Sequence, residues 1–519
     1  MNQETAGKFE DERSVLVNNL KKILKKHPVM EQLDSLRKKR FSDPYFPAYH
    51  FASPEGPMND PNGICYWKGY WHLFYQAYPP ESHCVHWGHA ISSDLIHWHD
   101  LPYAIYPGPE QHCYSGSSLV EKNRVIAIYF GVNSGIMCAT ASDQFLLNWQ
   151  KIKGGPVIPM DVLEKTTDLH STIPFDPCIW KKNGFYYCLC NGRVPEGPDC
   201  KPVLSPFLFR SKDLSKWEYL HPFVEGDRFS LIGDDCACPY FWPIGTKYIL
   251  LFFSHMSGTQ AFIGNYDRKR DKFIITSHHR FNFGAPAPGG MIAPSATPWR
   301  NGNIIVIFNI FKGKSSDNQV MTIPVSLSLM AEDRLKIEPV DAVKTLRYNH
   351  QHIDNLQLPV NREVILKEVR GNTMEIMAEI EIQNTQMLEL NVLRSKNKEE
   401  FTRIIFFRTG GYPNRGRRTD LSDWHADSII CIDSSCSSMA TDVLPRPPEK
   451  APVVLTEKEP LKLRIFIDKS VVEVFVNDRQ RVVARVNPSR KDALDVSLRS
   501  YGKPCLLKSL DAWQMRSIW

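Results

Sequence analysis

The run Met58-Asn59-Asp60-Pro61-Asn62-Gly63 is the densest cluster of unusual residues in the sequence. Asn, Asp, Pro and Gly make a tight turn by composition. A carboxylate on such a turn can serve as acid, base or nucleophile if the turn opens onto a site. Two other clusters suggest a metal at first sight. His83, Cys84, His86 and His89 fall within seven residues but match no zinc spacing. Cys188 with Cys190, and Cys236 with Cys238, form two Cys-x-Cys pairs on expected strands. A four-thiolate site is conceivable there, and buried free thiols are the plainer account. No phosphate-cradling glycine loop, zinc-protease helix or Ser-His-Asp motif stands out. The expectation is a site that works through carboxylates, with no metal and no cofactor.

The elements that must position Asp60 are β-like. From His50 onward, short aromatic and β-branched runs alternate with Gly, Asn, Asp and Pro clusters. One turn pattern returns at Trp67-Lys68-Gly69-Tyr70, Glu121-Lys122-Asn123-Arg124, Trp180-Lys181-Lys182-Asn183-Gly184, Trp242-Pro243-Ile244-Gly245 and Trp299-Arg300-Asn301-Gly302. Its centres near 68, 122, 182, 244 and 301 are 54, 60, 62 and 57 residues apart. Each joins two hydrophobic runs, as a β-hairpin does. A second repeat runs out of phase with the first: Ser93-Asp94-Leu95 to Trp98, Ser142-Asp143 to Trp149, and Ser211-Lys212-Asp213-Leu214 to Trp217. Five such units suit a five-bladed β-propeller, with a β-sandwich of coincidental spacing as the other reading. In a propeller, Asp60 opens an innermost strand. Innermost strands converge on the central channel, so one acid from each can surround a small substrate.

Past about residue 345 the spacing breaks. His350 to Leu358 reads as a polar connector. Met374 to Ile382 and Leu461 to Ile467 then alternate as strands with one wet face. Between them lies a loop-rich stretch that includes Arg415 to Arg418 and Pro445 to Pro452. Ahead of the repeats, Val15, Leu16, Leu20, Ile23 and Leu24, then Met30, Leu33 and Leu36, recur at helical spacing around Pro28. Two short amphipathic helices ending at Arg37 to Arg40 are expected, docked on the rest of the chain. The reading is an all-β fold with a helical N-terminal extension over 1–41, a five-bladed β-propeller over 42–348, and a linker and C-terminal β-sandwich over 349–519.

Composition bounds the partners. The 519 residues carry 63 basic and 57 acidic side chains, a formal net charge of +6, with 42% hydrophobic and 23% charged residues. That is a globular chain whose charge points to neither nucleic acid nor membrane. No apolar run approaches the roughly 18 residues of a membrane helix. The polar N-terminus is no signal peptide. Thirteen Cys at no regular spacing argue for a reducing compartment, hence a cytoplasmic protein. A homo-oligomer is possible, with the sandwich and the N-terminal helices as contact surfaces.

Tyr49-His50-Phe51 through Met58-Asn59-Asp60-Pro61-Asn62-Gly63 resembles the opening motif of glycoside hydrolase family 32, the invertase and fructosidase family. The resemblance continues through Phe74-Tyr75-Gln76, Trp87-Gly88-His89, Asp94 to Trp98 and Tyr114-Ser115-Gly116-Ser117, and returns at Ile467 to Phe475. It implies a five-bladed propeller followed by a sandwich, and a retaining double displacement at a fructoside. It assigns the nucleophile to Asp60, supported by donors such as Asn59 or Asn62. It also implies a transition-state-stabilising acid at Asp176, where Phe175 replaces the family's Arg. Gln76, Trp87 and Ser117 match positions near the fructosyl site. Trp98 reads as structural.

The family's acid/base is the Glu of a Glu-Cys-Pro motif. Ungapped alignment on Cys238-Pro239 puts Ala237 there, and alanine transfers no proton. Asp235, two residues upstream, would point the same way on an extended strand. A local bulge would instead present Asp234, or the acid is lost. The implied function is cleavage of terminal β-fructofuranosidic bonds of sucrose or short fructans. The alternatives are a glycosidase or fructosyltransferase of altered specificity, and a catalytically silent carbohydrate-binding homologue. The partner is a small carbohydrate.

Overall fold

The computed structural model describes every residue except 1–2, 26, 153, 168–171, 195–200, 285, 383–384, 409–427 and 457. Helix α1 (Gln3–Ile23) and helix α2 (Pro28–Arg40) come first, with Pro28 at the start of α2, where its missing N–H costs nothing. Leu16 and Leu20 pack with Ile91, Leu101 and Phe145. Arg37 donates to both oxygens of Asp100 at 2.6 and 2.7 Å, while its guanidinium lies 3.9 Å over the ring of Trp519. No described helix is long and apolar enough to cross a membrane.

Five consecutive sheets follow, each a meander whose first strand is its innermost. These first strands are Met58–Trp67, Cys113–Val120, Phe175–Lys182, Ala237–Ile244 and Met291–Pro298. Each touches the next, and the fifth touches the first, so the five form a closed ring. The hairpins leaving them fall at the repeated turns. Lys68 and Gly69, Asn183 and Gly184, and Asn301 and Gly302 all have positive φ, which is why Gly and Asn recur there. The out-of-phase repeat is a second turn, between later strands. The Asp94 carboxylate accepts the N–H groups of Ile96 and His97, and Asp143 and Asp213 do the same for the residues after them. The following leucine or its counterpart takes positive φ each time: Leu95, Leu146 and Leu214. Trp98 is buried.

Two six-stranded antiparallel sheets complete the chain. One runs in the order Arg347–Leu358, Cys505–Met515, Thr373–Glu381, Leu461–Asp468, Val471–Val476, Gln480–Arg485. The other runs Val364–Arg370, Asp495–Tyr501, Met387–Arg394, Thr402–Phe407, Ser428–Asp433, Glu449–Val453. Ile376, Ile465 and Val474 of the first share one apolar core with Leu390, Ile404 and Ile430 of the second. The stretch His350 to Leu358 is not a connector. It belongs to an edge strand paired with Cys505–Met515, and an edge strand is polar because it meets solvent. Part of the expected loop at Pro445 to Pro452 is likewise the edge strand Glu449–Val453, where proline is tolerated. Arg415 to Arg418 lie outside the described residues.

The front and back of the chain meet in a buried polar knot. His50 Nδ1 lies 2.8 Å from Asp468, and its Nε2 lies 3.0 Å from Glu473. Asp468 also accepts the N–H groups of Ala48, Tyr49 and His50, and Arg481 closes on Glu473. All are buried. The two carboxylates outweigh desolvation and raise His50 to about 9.

Candidate active site

Each of the five ring strands begins with a bulge. In every one the pairing with the next strand slips by one residue: after Met58, after Cys113, after Phe175, after Ala237 and after Ile292. A bulge adds an unpaired residue and re-aims its side chain. In four strands a proline follows or sits in the bulge (Pro61, Pro177, Pro239 and Pro294), where a missing N–H leaves no ladder bond unmade. The residues re-aimed in this way include Asp60, Ser115, Asp176 and Cys238. All four line one cavity of about 580 Å³. Asp176 and Cys238 both take positive φ.

Asp60 Oδ2 accepts from Ser115 Oγ at 2.6 Å and from Gln76 Nε2 at 3.3 Å. Gln76 also donates to Ser115 Oγ at 2.8 Å, which fixes both donors. Burial raises the Asp60 pKa, while the hydrogen bonds from Ser115 and Cys238 act against it. Asn59 stands at the rim, donating to Tyr78 at 2.7 Å and accepting from Gln319 at 2.5 Å. Asp176 Oδ2 accepts the Cys238 backbone N–H at 3.1 Å. The Cys238 thiol lies 3.6 Å from Asp60 and 3.6 Å from Asp176, a bridge between the two carboxyls. Burial, and then the charge of Asp60, raise Asp176 to about 7. The same surroundings push the Cys238 thiol well above its ordinary value. Two carboxyls crowded this way do not both ionise easily.

Phe130, Ile173, Phe175, Phe253, Ile292 and Phe311 form the apolar part of the wall. Phe175 packs 6.1 Å from Phe130. A wall of this kind beside convergent polar groups is what a small polar ligand with an apolar face requires.

Asp60, Asn59, Gln76 and Asp176 are thus brought together, and four other sequence candidates are not. Trp87 is fully buried behind the cavity, stacked near Phe74 and Tyr129, with its indole N–H donated to Tyr114 O at 2.9 Å. Its large ring fills the space between the first two sheets and offers no face to a ligand. Ser117 is also fully buried, and its Oγ accepts the Ile179 N–H at 3.0 Å, tying the second sheet to the third. Asp234 is consumed by Ser254, Ser257 and the Leu231 N–H at 2.5, 2.6 and 2.6 Å. Asp235 is buried and held by His255, with Nδ1 2.7 Å from its Oδ2. Neither aspartate is among the lining residues.

His255 itself is a lining residue that sequence reasoning missed. Cys238, half of a thiol pair and the anchor of the Cys-Pro alignment in the sequence, also lines the cavity. The Asp-Pro and Cys-Pro steps at the start of successive repeats were the available signal for the bulged positions. The two Cys-x-Cys pairs sit in different clusters and form no joint site. His89 faces His72 at 3.0 Å, and His86 bonds the Cys84 carbonyl at 2.9 Å. The one group among the described residues with metal-like spacing is His350, His352 and Asp511, on the edge strand Arg347–Leu358 and its neighbour Cys505–Met515.

A family model described as the glycosyl hydrolases family 32 N-terminal domain matches residues 50–334, and one for the family 32 C-terminal region matches residues 342–514. A levanase of Bacillus subtilis is 25% identical over 92% of this chain and 72% of its own length. A sucrose-6-phosphate hydrolase of Zymomonas mobilis is 25% identical over 92% of this chain and 94% of its own. The crystal structure of fructan 1-exohydrolase IIa from Cichorium intybus superposes with a TM-score of 0.78 at 20% identity, covering 92% of this chain and 98% of that one.

Proposed function

This chain belongs to glycosyl hydrolase family 32, and from that premise we propose that it is a β-fructofuranosidase, splitting terminal fructosyl residues from sucrose or short fructans with retention of configuration. The observation that carries this reading is the pair Asp60 and Asp176, held on either side of one thiol in a cavity of sugar size. Retaining glycosidases need an ionised nucleophile beside the anomeric carbon and a second acidic group close by. Asp60, with Ser115 and Gln76 donating to it, is the nucleophile. Its oxygen attacks the anomeric carbon and forms a fructosyl ester, which water then opens. Asp176, half-protonated near neutrality, accepts or donates to ring hydroxyls and steadies the oxocarbenium-like transition state. Gln76 and Asn59 hold polar groups of the sugar at the rim, and Phe175 packs against its apolar face where the family carries a guanidinium.

The architecture that goes with this reading is a five-bladed propeller over 42–348 and a two-sheet sandwich over 349–519, behind the helical segment 1–41. The closed ring of first strands and the core shared by the last two sheets support it. The described cysteines are unpaired, which supports a reducing, cytoplasmic setting.

The test is release of reducing sugar from sucrose, sucrose 6-phosphate, inulin-type and levan-type oligosaccharides, with Asp60→Asn as the control. Turnover of at least one, abolished in the variant, supports the reading. A wild-type protein that cleaves none of them refutes it.

A further inference from the structure

The position from which the family's acid would act is occupied by Ala237, whose methyl group lines the cavity. A retaining glycosidase without a proton donor stalls on an unactivated leaving group. The geometry supplies one from the neighbouring strand. Ala237 pairs with Phe253 across the ladder between Ala237–Ile244 and Lys247–Ser254. Just beyond these two strand ends, in the turn after Ser254, His255 meets Asp235. His255, in that turn, lines the cavity beside Phe253, and the small side chain of Ala237 lines it too.

We propose that His255 is the general acid/base of the fructoside cleavage and that Asp235 is its positioning residue. The assignment rests on the fructosidase reading. Asp235 grips the histidine twice. One carboxylate oxygen lies 2.7 Å from Nδ1, and the other accepts the His255 backbone N–H at 3.2 Å. The carboxylate is 5% exposed and the imidazole 66% exposed, so the acid is buried behind the ring and the ring faces the open space. With Nδ1 committed to the carboxylate, Nε2 is the nitrogen left for a substrate. This is the arrangement by which a buried Asp fixes the tautomer and steadies the charge of a catalytic imidazole.

The charged and titratable groups facing His255 are Asp235 from its own sheet, Asp60 and Asp176 from the first and third ring strands, and Cys238 of the cavity floor. The Asp235 hydrogen bond, ahead of the charges of Asp235, Asp176 and Asp60, raises the imidazole above 6.5 against a loss from burial. The buried Asp235 carboxylate thus favours the imidazolium form. In the first step the Asp60 oxygen bonds to the anomeric carbon, the bond to the leaving oxygen breaks, and the Nε2 proton passes to that oxygen. In the second, neutral Nε2 takes a proton from water as the water oxygen bonds to the anomeric carbon and the ester bond to Asp60 breaks, and both side chains return to their starting states. The other acids are placed for different work. Asp234 is spent on two serines and a backbone N–H, and Asp235 sits behind the ring.

Leaving-group dependence is the test. kcat/KM is measured for sucrose and for p-nitrophenyl β-fructofuranoside, whose phenolate departs with little help. The proteins are the wild type, His255→Gln, Asp235→Asn, Asp176→Asn and Asp60→Asn. Expected for His255→Gln is a loss of roughly 10²–10⁴-fold on sucrose, a loss below about 10-fold on the nitrophenyl substrate, and recovery of turnover by azide, which needs no base. The basic limb of the wild-type pH profile disappears in the same variant. In Asp235→Asn that limb moves down towards 6.5, which a purely structural role would not cause. Equal losses on both substrates, or wild-type rates on sucrose, overturn the assignment. So does leaving-group-dependent loss in Asp176→Asn in place of His255→Gln. A wild type inactive on these two and on every other fructoside tested fails differently, because it removes the fructosidase reading and the assignment with it.

Discussion

Replacing Asp176 by asparagine is expected to stabilise the protein, and to do so more as the pH rises. The carboxyl is 8% exposed, faces Asp60 and is raised from 3.8 to about 7 by burial and by that neighbour. A group whose folded pKa exceeds its unfolded value holds its proton more tightly when folded. It therefore favours folding fully below 3.8, and that contribution is gone once the pH has passed 7. At about 1.36 kcal/mol per unit, the shift corresponds to roughly 4 kcal/mol between those limits, as an upper figure for a crowded pair. Asparagine is neutral throughout and keeps an oxygen for the Cys238 N–H. The gap in stability between variant and wild type should therefore open across pH 4 to 8. For 519 residues unfolding as one unit, the entropy of about 2.1 cal/mol/K per residue turns ~4 kcal/mol into about 4 °C. Thermal midpoints of both proteins at unit steps of pH read this directly. A gap that is constant with pH, or that narrows on the alkaline side, refutes the strained-carboxyl account. The variant's activity on fructosides should fall at the same time, stability and function being opposed at this residue.

Asp60→Asn is expected to lose at least ~10⁴-fold in kcat on every fructoside while keeping its midpoint within a few degrees, checked by initial rates and thermal melts. Cys238→Ser puts a stronger donor between the two carboxyls, so the acid limb of the pH profile should move down. An unshifted limb would remove the thiol from the account. The Cys238 thiol itself should resist iodoacetamide at neutral pH, because burial and the charges of Asp176 and Asp60 keep it protonated; mass spectrometry after labelling decides. Glu473→Gln leaves His50 and Arg481 short of a buried counter-charge and is expected to cost about 3–5 kcal/mol in denaturant melts. In the wild type, the His50 contribution is complete below 6.5 and fades as the pH climbs through about 9.

Much of this arrangement was legible in the sequence because it is built from local chemistry. The turns at Lys68-Gly69, Asn183-Gly184 and Asn301-Gly302 need positive φ, and Gly and Asn announce it. Asp94, Asp143 and Asp213 cap their own turns within a few residues. That Asp60 and Asp176 face one cavity followed from their motifs, while their chemical roles are proposals. The sequence candidates that the cavity leaves out are all placed by non-local contacts. Trp87 and Ser117 sit beside motif residues, yet which face of a strand meets the cavity depends on bulges, and a bulge shifts every side chain after it. Asp234 and Asp235 were read on a single strand, whereas their partners Ser254, Ser257 and His255 come from the next hairpin, about twenty residues on. No pattern marks His255, because only the fold brings its turn onto an aspartate far back along the chain. The polar strand Arg347–Leu358 was missed for a related reason, since an edge strand lacks the alternation of a half-buried one.

The knot around His50 bears on how the polypeptide is made. Its partner Asp468 stands 418 positions further along, so most of the chain must leave the ribosome before this histidine can find its carboxylates. Until then a nascent chain carries the front of the first sheet without its lock. Vectorial synthesis would thus complete the opening segment among the last of all, and a ribosome-stalled fragment ending before residue 468 should remain open to protease near Tyr49.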